Sequence, residues 1–316
     1  MKIAILEEMT VSNNGDVSLD GIKALGETVC YPLTPQELAA ERTKDCGAVI
    51  INKTVFTKEI MKSCPDLKYI GLCATGYNNV DVKAASELGI TVCNCPSYSS
   101  NAVAQQVFAY ILYFMNKIAD YNSDVQKGGW INSKTFAYFP FPTYELKGMT
   151  LGIIGFGSIG KRTAEIASAF GMRVIACSRS PKKADNVEFL PLERIFSESD
   201  IITLHCPLTP QTENIVNINN LRLCKPSAII INTSRGGTVN ENDLAYALKN
   251  GIVSAAAVDV VSCEPMKKDN PLLNIPNCII TPHIAWAPVQ TRKRLVKLAE
   301  DNLRMFLNGT PHNKVN

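Results

Sequence analysis

Short apolar runs rich in β-branched residues alternate with helical patterns along almost the whole chain. The first series occupies residues 3–6, 48–51, 69–72 and 91–93. The second series occupies residues 150–154, 173–177, 200–204, 228–231, 255–258 and 278–281. Continuous apolar strands between helices are what a parallel sheet covered on both faces requires. The pattern therefore predicts an α/β fold with two doubly wound parallel sheets.

A long helical pattern at 101–124 separates the two series, with Asn101 as its expected N-cap. A second amphipathic helix is predicted at 289–307, after the last strand, and it could return to the first domain. We therefore predict one domain at 1–99 plus 287–316 and another at 100–286.

Composition narrows the class of protein. The 316 residues are 46% hydrophobic and 19% charged, which excludes a disordered chain. A net charge of +3 and the lack of a basic stripe argue against nucleic acid. The start of the chain does not fit a signal peptide, and the longest apolar region is too short to span a bilayer. A cytoplasmic protein is expected.

The cysteines and histidines do not form a metal-binding pattern. The chain has 11 cysteines but no CxxC pair, and only three histidines. No metal site is expected, and most cysteines are interpreted as small buried apolar residues in a reducing compartment.

A glycine-rich turn follows the first strand of the second series. Gly155, Gly157 and Gly160 match GxGxxG between a strand and a helical run, and a further strand follows at 173–177. In this complete βαβ context the motif predicts a Rossmann-like dinucleotide site, with Ser158 and Ile159 at the helix start.

The end of the following strand bears on the choice of cofactor. Ser178 and Arg179 stand where an NAD-binding domain usually carries an acidic residue, and no acid occurs between Gly171 and Asp185. Because Ser and Arg can bind a 2′-phosphate, NADP(H) is favoured and NAD(H) is the alternative.

Three polar residues follow three of the later strands, where ligands of open α/β sheets bind. They are Arg235, Glu264 and His283. Arg offers a planar fork to a carboxylate, His can give a proton to a developing alkoxide, and a neighbouring carboxylate would stabilise the imidazolium. This set predicts reduction of a 2-oxo acid. Each residue taken singly could instead be structural.

The motifs together resemble the D-isomer-specific 2-hydroxyacid dehydrogenase family over essentially the whole chain. The matching segments are 152–160, 205–212, 231–236, 258–260 with 264–265, and 281–286. The resemblance implies that Arg235 binds and polarises substrate, that His283 is the acid/base and that Glu264 is its partner. It also implies a cleft between the domains and further cofactor contacts, which we expect at His205, Cys206, Pro207, Thr212, Thr233 and Asp259.

The same resemblance assigns substrate and assembly. It implies that the loop Ala74, Thr75 and Gly76 receives the substrate carboxylate on backbone N–H groups. Segments 74–81, 98–105 and 282–287 look like the glycerate dehydrogenase (hydroxypyruvate reductase) branch. The implied activity is NAD(P)H-dependent reduction of hydroxypyruvate or a similar small 2-oxo acid such as glyoxylate. Tyr77 could fill the substrate pocket or serve only in packing.

Residues 128–146 carry six aromatic residues and two prolines, so they predict a non-helical arm. Exposed aromatics suggest a partner surface, and a homodimer through this arm and the adjoining helix is expected, in line with the family. An arm packed on its own domain is the alternative.

Phosphoglycerate dehydrogenase and a dinucleotide-sensing binding protein of the same fold stay open as alternative functions.

Overall fold

A computed structural model describes residues 1–179 and 184–316. The chain divides into two compact units: unit 1 is Met1–Ser99 with Trp286–Asn316, and unit 2 is Ser100–Ala285. Trp286 belongs to unit 1, whereas the sequence-based prediction placed it in the second domain.

The described residues contain twelve strands, each of three to five residues. They are β1 (Lys2–Ile5), β2 (Glu27–Cys30), β3 (Ala48–Ile51), β4 (Tyr69–Leu72), β5 (Thr91–Cys93), β6 (Thr150–Ile154), β7 (Arg173–Cys177), β8 (Val187–Phe189), β9 (Ile201–Leu204), β10 (Ile229–Asn232), β11 (Ala255–Val258) and β12 (Cys278–Ile280).

The α-helices lie between the strands, except for a pair between β5 and β6 and a last helix after β12. They are α1 (Asp20–Lys23), α2 (Ala39–Thr43), α3 (Lys58–Lys62), α4 (Val82–Glu87), α5 (Ser100–Asn116), α6 (Ile118–Gln126), α7 (Ser158–Ala169), α8 (Leu192–Glu198), α9 (Ile218–Leu221), α10 (Glu241–Lys249) and α11 (Val289–Leu307). Short 3-10 turns lie at Glu8–Thr10, Gln36–Leu38 and Gly236–Thr238.

Unit 1 is built on a parallel sheet of five strands in the order β2-β1-β3-β4-β5. The strands β3 and β4 are buried at every position, as expected for strands covered on both faces. One face packs on α11 through Leu295, Ala299 and Leu303. The last helix therefore completes the core of unit 1, although its sequence follows unit 2.

Unit 2 is built on a parallel sheet of seven strands in the order β12-β11-β10-β9-β6-β7-β8. The chain starts at β6, runs outward to β8 and then returns to the other side of β6 at β9. This order puts a reversal point between β6 and β9, the place where doubly wound sheets bind dinucleotides. The α/β fold class with two parallel sheets is confirmed.

Two strands and one helix differ from the sequence-based expectation. The strands β2 and β8 were not predicted; both lie at sheet edges and are only partly buried, so their apolar pattern is weak. The single helix expected at 101–124 is wrong, because Lys117 adopts a left-handed conformation (φ 53°) that divides it into α5 and α6. Asn101 lies inside α5 and does not cap it.

The helices on the two sides of the break differ in how much of their surface is buried. The apolar face of α5 is buried in the core of unit 2, whereas α6 has no buried residue and Ile118 at its start is 67% exposed. In the described part of the chain, no helix is both long and apolar enough to cross a membrane.

Candidate active site

The glycine turn joins β6 to α7 at the reversal point of the unit 2 sheet. Gly155 has φ +98°, and a Cβ built on it would lie 2.5 Å from the backbone nitrogen of Cys206. A side chain is therefore excluded by both conformation and space. The absence of a Cβ lets the turn after β6 pack directly on the turn after β9.

The other two glycines of the motif have different surroundings. A Cβ on Gly160 would lie 2.3 Å from the carbonyl oxygen of Gly155, whereas a Cβ on Gly157 would meet nothing within 4 Å. Gly157 is also the N-cap of α7, and Ser158 and Ile159 begin that twelve-residue helix. Open space before a helix N-terminus is the setting in which a pyrophosphate binds, so these residues fit a dinucleotide.

His205 connects the turn after β9 to the rest of unit 2. Its Nε2 lies 3.1 Å from the hydroxyl of Thr203 and 3.4 Å from that of Thr163 on α7. Its buried Nδ1 has no hydrogen-bond partner among the described residues. Desolvation by burial lowers the pKa of His205 to about 3, so the ring is neutral near pH 7.

The residues after His205 form a tight loop. Burial raises the pKa of the Cys206 thiol to about 11, so this cysteine is not a thiolate near neutral pH. The Thr212 hydroxyl donates to the Pro207 carbonyl at 2.6 Å and accepts from the Thr209 backbone N–H at 2.8 Å. Thr212 thus shapes the loop that the sequence assigned to the cofactor.

The remaining predicted cofactor residues lie at the ends of β7 and β10. Ser178 and Arg179 directly follow β7, with Ser178 partly buried and Arg179 exposed. Thr233 follows β10, and its buried hydroxyl has no hydrogen-bond partner among the described residues. An unsatisfied buried hydroxyl at the carboxyl end of a strand fits contact with a bound ligand.

Arg235 lies in the turn after β10 and is exposed. Its Nη1 donates to the Ser234 carbonyl at 2.7 Å, and no described carboxylate lies within ion-pair distance of it. The next residue must be glycine, since a Cβ on Gly236 would lie 1.9 Å from the backbone of Val261. The turn that carries Arg235 therefore contacts the turn after β11.

Glu264 and His283 form a hydrogen-bonded pair. His283 Nδ1 and Glu264 Oε2 are 2.7 Å apart, and both side chains are about one-third exposed. The other carboxylate oxygen accepts the Val261 N–H at 3.2 Å, which ties Glu264 to the turn that touches Gly236. The structure thus brings the turns that carry Arg235, Glu264 and His283 together within unit 2.

The backbone at His283 is left-handed (φ 56°), which is uncommon for a residue other than glycine. Asp259 holds it there. The His283 N–H donates to the Asp259 carbonyl at 2.8 Å, and the Asp259 carboxylate accepts the N–H groups of Ile284 at 2.9 Å and Ala285 at 2.8 Å and the hydroxyl of Thr281. In this structure the buried Asp259 fixes the histidine turn.

The Thr281 hydroxyl also hydrogen-bonds to Tyr110 from α5. Burial raises the pKa of Tyr110, so its hydroxyl stays protonated and available for this contact. Sequence reasoning missed both residues, because nothing local links position 110 to a turn 171 residues later.

In unit 1, the predicted substrate loop follows β4. Ala74, Thr75 and Gly76 are partly or fully exposed, and Tyr77 is exposed. Within the described residues, the N–H groups of Thr75 and Gly76 donate to no acceptor of the chain. Free neighbouring backbone N–H groups form a concave anion site. This loop therefore fits a carboxylate.

Two polar residues of unit 1 were missed by the sequence reasoning. Glu7 follows β1, and Asn94 follows β5; both are buried. Both residues lie just past the carboxyl end of a strand, the kind of position from which Arg235, Glu264 and His283 were selected. No group of three or more metal-binding side chains occurs among residues 1–179 and 184–316.

Comparison with known proteins defines the class. Residues 108–285 match the D-isomer specific 2-hydroxyacid dehydrogenase, NAD binding domain. The chain belongs to this family, and unit 2 contains its NAD-binding domain.

Individual relatives narrow the similarity. The chain is 44% identical to the hydroxypyruvate reductase of Blautia hydrogenotrophica, over 100% of both chains. It is 42% identical to the glycerate dehydrogenase of Methylorubrum extorquens, over 89% of each. Among solved structures, it is similar to the acyclic imino acid reductase Bsp5 in complex with NADPH and D-Arg, with TM-score 0.89, 31% identity and full coverage of both chains. The chain is therefore a D-2-hydroxyacid dehydrogenase of the glycerate dehydrogenase-like kind.

Proposed function

We propose that the protein reduces hydroxypyruvate to D-glycerate with a nicotinamide dinucleotide as hydride donor. The observation that carries the reaction type is the 2.7 Å contact between His283 Nδ1 and Glu264 Oε2, at the carboxyl end of a dinucleotide-binding sheet. The substrate follows from full-length similarity to a hydroxypyruvate reductase.

The dyad supplies the proton. Because Glu264 occupies Nδ1, the Nε2 atom of His283 is left to face substrate, and it donates its proton to the carbonyl oxygen. The bound reduced nicotinamide supplies the hydride for the carbonyl carbon. One hydride and one proton convert the 2-oxo acid to the 2-hydroxy acid, and the carboxylate of Glu264 stabilises the protonated histidine before transfer.

Arg235 binds the carboxylate and polarises the carbonyl. It has a planar fork of donors, only one of which is used in the contact to Ser234. In unit 1, the N–H groups of Thr75 and Gly76 donate to no acceptor of the described chain and fit a carboxylate. A lysine at position 235 would supply charge but not the two-point contact.

Gly157 and the start of α7 would hold the pyrophosphate of the cofactor, and the Thr233 hydroxyl would hydrogen-bond to it. We favour NADP(H) because Ser178 and Arg179 occupy the end of β7, where a 2′-phosphate would lie. An uncompensated guanidinium suits a phosphate, and among the described residues no acid forms an ion pair with Arg179.

The test is the initial rate of NADPH and NADH oxidation by hydroxypyruvate at matched concentrations. Turnover that favours NADPH supports both the reaction and the role of Arg179. Equal or better use of NADH contradicts the cofactor assignment alone. No turnover with either contradicts the reaction and favours a different 2-oxo acid or a dinucleotide-sensing role. The phosphoglycerate and sensing alternatives are not favoured, since the relatives at 42–44% identity are a hydroxypyruvate reductase and a glycerate dehydrogenase.

A homodimer through residues 128–146 is the assembly that we propose. This arm contains neither helix nor strand, and Phe136 is 93%, Phe139 85% and Ile131 84% exposed. Large apolar side chains this exposed on one segment mark a surface that associates. The adjoining helix α6 buries no side chain within the chain.

Sedimentation of the double variant Phe136→Ser, Phe139→Ser tests the dimer. We expect a monomer where the wild type is a dimer. The control is Tyr246→Ser, which removes an exposed aromatic on α10. A wild type that sediments as a monomer overturns the proposal.

We also assign the protein to the cytoplasm, in agreement with its eleven free thiols.

A further inference from the structure

The loop after β4 in unit 1 is held by a chain of buried asparagines. The Asn94 side chain donates to the Thr75 carbonyl at 2.7 Å. The Asn94 carbonyl in turn accepts from the Asn302 side chain on α11 at 2.8 Å, and Asn302 accepts from Asn313 at 2.8 Å. Asn94 and Asn302 are 8% and 2% exposed.

Because the peptide bond is planar, these contacts fix the direction in which the Thr75 and Gly76 N–H groups point. In a planar trans peptide the C=O and the N–H point in opposite directions. The Thr75 carbonyl points at Asn94, so the Gly76 N–H of the same peptide points away from it. The Ala74 carbonyl accepts the Cys95 N–H at 2.9 Å, so the Thr75 N–H also points away from β5.

Two neighbouring N–H groups are thus aimed to the same side, and the described chain offers them no acceptor. The Thr75 hydroxyl adds a third tie to this edge by donating to the Cys95 carbonyl at 2.8 Å. A loop fixed at three points on one side loses little conformational freedom when it binds an anion on the other.

We infer that Asn94, supported by Asn302 of α11, is a positioning residue that aims the Thr75 and Gly76 N–H groups at the substrate carboxylate. The inference rests on the proposed function and names the side chains that set the affinity for 2-oxo acids. The helix α11 then does more than pack on the sheet. Its residue Asn302 supports Asn94 and so helps to orient the anion site of the loop.

The main test is Asn94→Asp, which keeps the shape but cannot donate to the Thr75 carbonyl. We expect the KM for hydroxypyruvate to rise about tenfold, with little change in kcat and an unchanged Kd for the dinucleotide. Because the carboxylate is common to all 2-oxo acids, the KM for glyoxylate should rise by the same factor. The Ki of oxamate, a carboxylate-bearing substrate analogue, should rise in parallel.

The matched control is Asn316→Ala. The Asn316 side chain accepts the Val92 N–H at 2.9 Å and donates to the Ile90 carbonyl at 2.7 Å, at the other end of the same strand. It therefore loses two hydrogen bonds to β5 without touching the loop. We expect a comparable fall in Tm and no change in the KM for either 2-oxo acid.

A second variant guards against misfolding of Asn94→Asp. Asn302→Ala leaves the Asn94 side chain intact, and alanine favours the helix. It should raise the KM about threefold. An unchanged KM in both variants, unequal changes for the two substrates, or the same KM change in Asn316→Ala overturns the inference. A wild type that reduces neither 2-oxo acid overturns the proposed function as well, so the two failures are distinct.

Discussion

Each of the two sheets has one reversal point in its strand order, and different groups lie at the two points. In unit 2, between β6 and β9, the turns are made by Gly155 and Cys206, and the space in front of Gly157 is open. In unit 1, whose sheet reverses between β1 and β3, the buried carboxylate of Glu7 follows β1 and binds the turn after β3.

The Glu7 carboxylate accepts three consecutive backbone N–H groups, those of Asn52, Lys53 and Thr54, at 2.8, 2.8 and 3.0 Å. Backbone N–H groups converge at the reversal point of either sheet, as the fold requires. The residue that follows the first strand decides whether a side chain of the protein or an external ligand satisfies them. One fold thus yields a dinucleotide-binding domain in one case and a turn held by a buried carboxylate of the chain in the other.

The largest effect is expected at the edge of unit 2 that carries the proposed proton donor, His283. His283→Ala should lower kcat about 10²- to 10⁴-fold while the dinucleotide Kd stays unchanged, because only proton transfer is lost. Steady-state kinetics and dinucleotide titration measure the two quantities. The control is His312→Ala, an exposed histidine of unit 1. Full activity in His283→Ala would remove this residue from the mechanism.

The glycine turn offers a comparison between two positions three residues apart. Gly157→Ala should weaken dinucleotide binding about tenfold with little change in Tm, because its Cβ enters only the open space. Gly160→Ala should instead lower stability by about 1–3 kcal/mol, because its Cβ meets the Gly155 carbonyl. Dinucleotide titration and thermal melts of both variants check this. Equal loss of binding and stability in both would show that the space before Gly157 is not the ligand site.

Glu7→Gln tests the contacts at the reversal point of unit 1. Replacing a carboxylate that accepts three N–H groups with a neutral amide should cost about 1–2 kcal/mol of unfolding free energy. Urea unfolding measures it. The neighbouring Glu8→Gln removes only a partly exposed ion pair to Lys23 at 3.4 Å and should cost less than about 0.5 kcal/mol. Equal losses of unfolding free energy in the two variants would mean that the three N–H contacts of Glu7 do not stabilise the fold.

The pH-linked effect of His205 on stability is absent near pH 7 and appears only in acid. Its pKa is about 3 in the folded protein and near 6.5 when unfolded, so the unfolded state binds the proton first. The stability that the neutral His205 ring contributes to the folded protein is fully present above pH 6.5. It is lost as the pH falls towards 3, by at most about 1.4 kcal/mol of unfolding free energy per pH unit. Urea midpoints at pH 7, 6 and 5 should fall less in His205→Gln than in the wild type. Parallel curves would show that the ring titrates normally.

Much of this protein could be predicted from local pattern. Continuous apolar runs defined ten of the twelve strands, and their alternation with helices defined the fold class. The glycine spacing between a strand and a helix indicated the dinucleotide turn. Arg235, Glu264 and His283 could be selected because each follows an apolar strand, and parallel strands bring their carboxyl ends to one edge.

Other features were decided only by the tertiary structure. Glu7 meets its partners 45 to 47 residues away, and Tyr110 meets Thr281 171 residues away, so no local pattern connects them. The break at Lys117 and the left-handed backbone of His283 depend on what packs against each segment. The sequence by itself determined the elements and the chemical groups, because periodicity and residue type are local properties. Only folding decided which buried polar groups satisfy one another, because a hydrogen bond requires two atoms to meet in space.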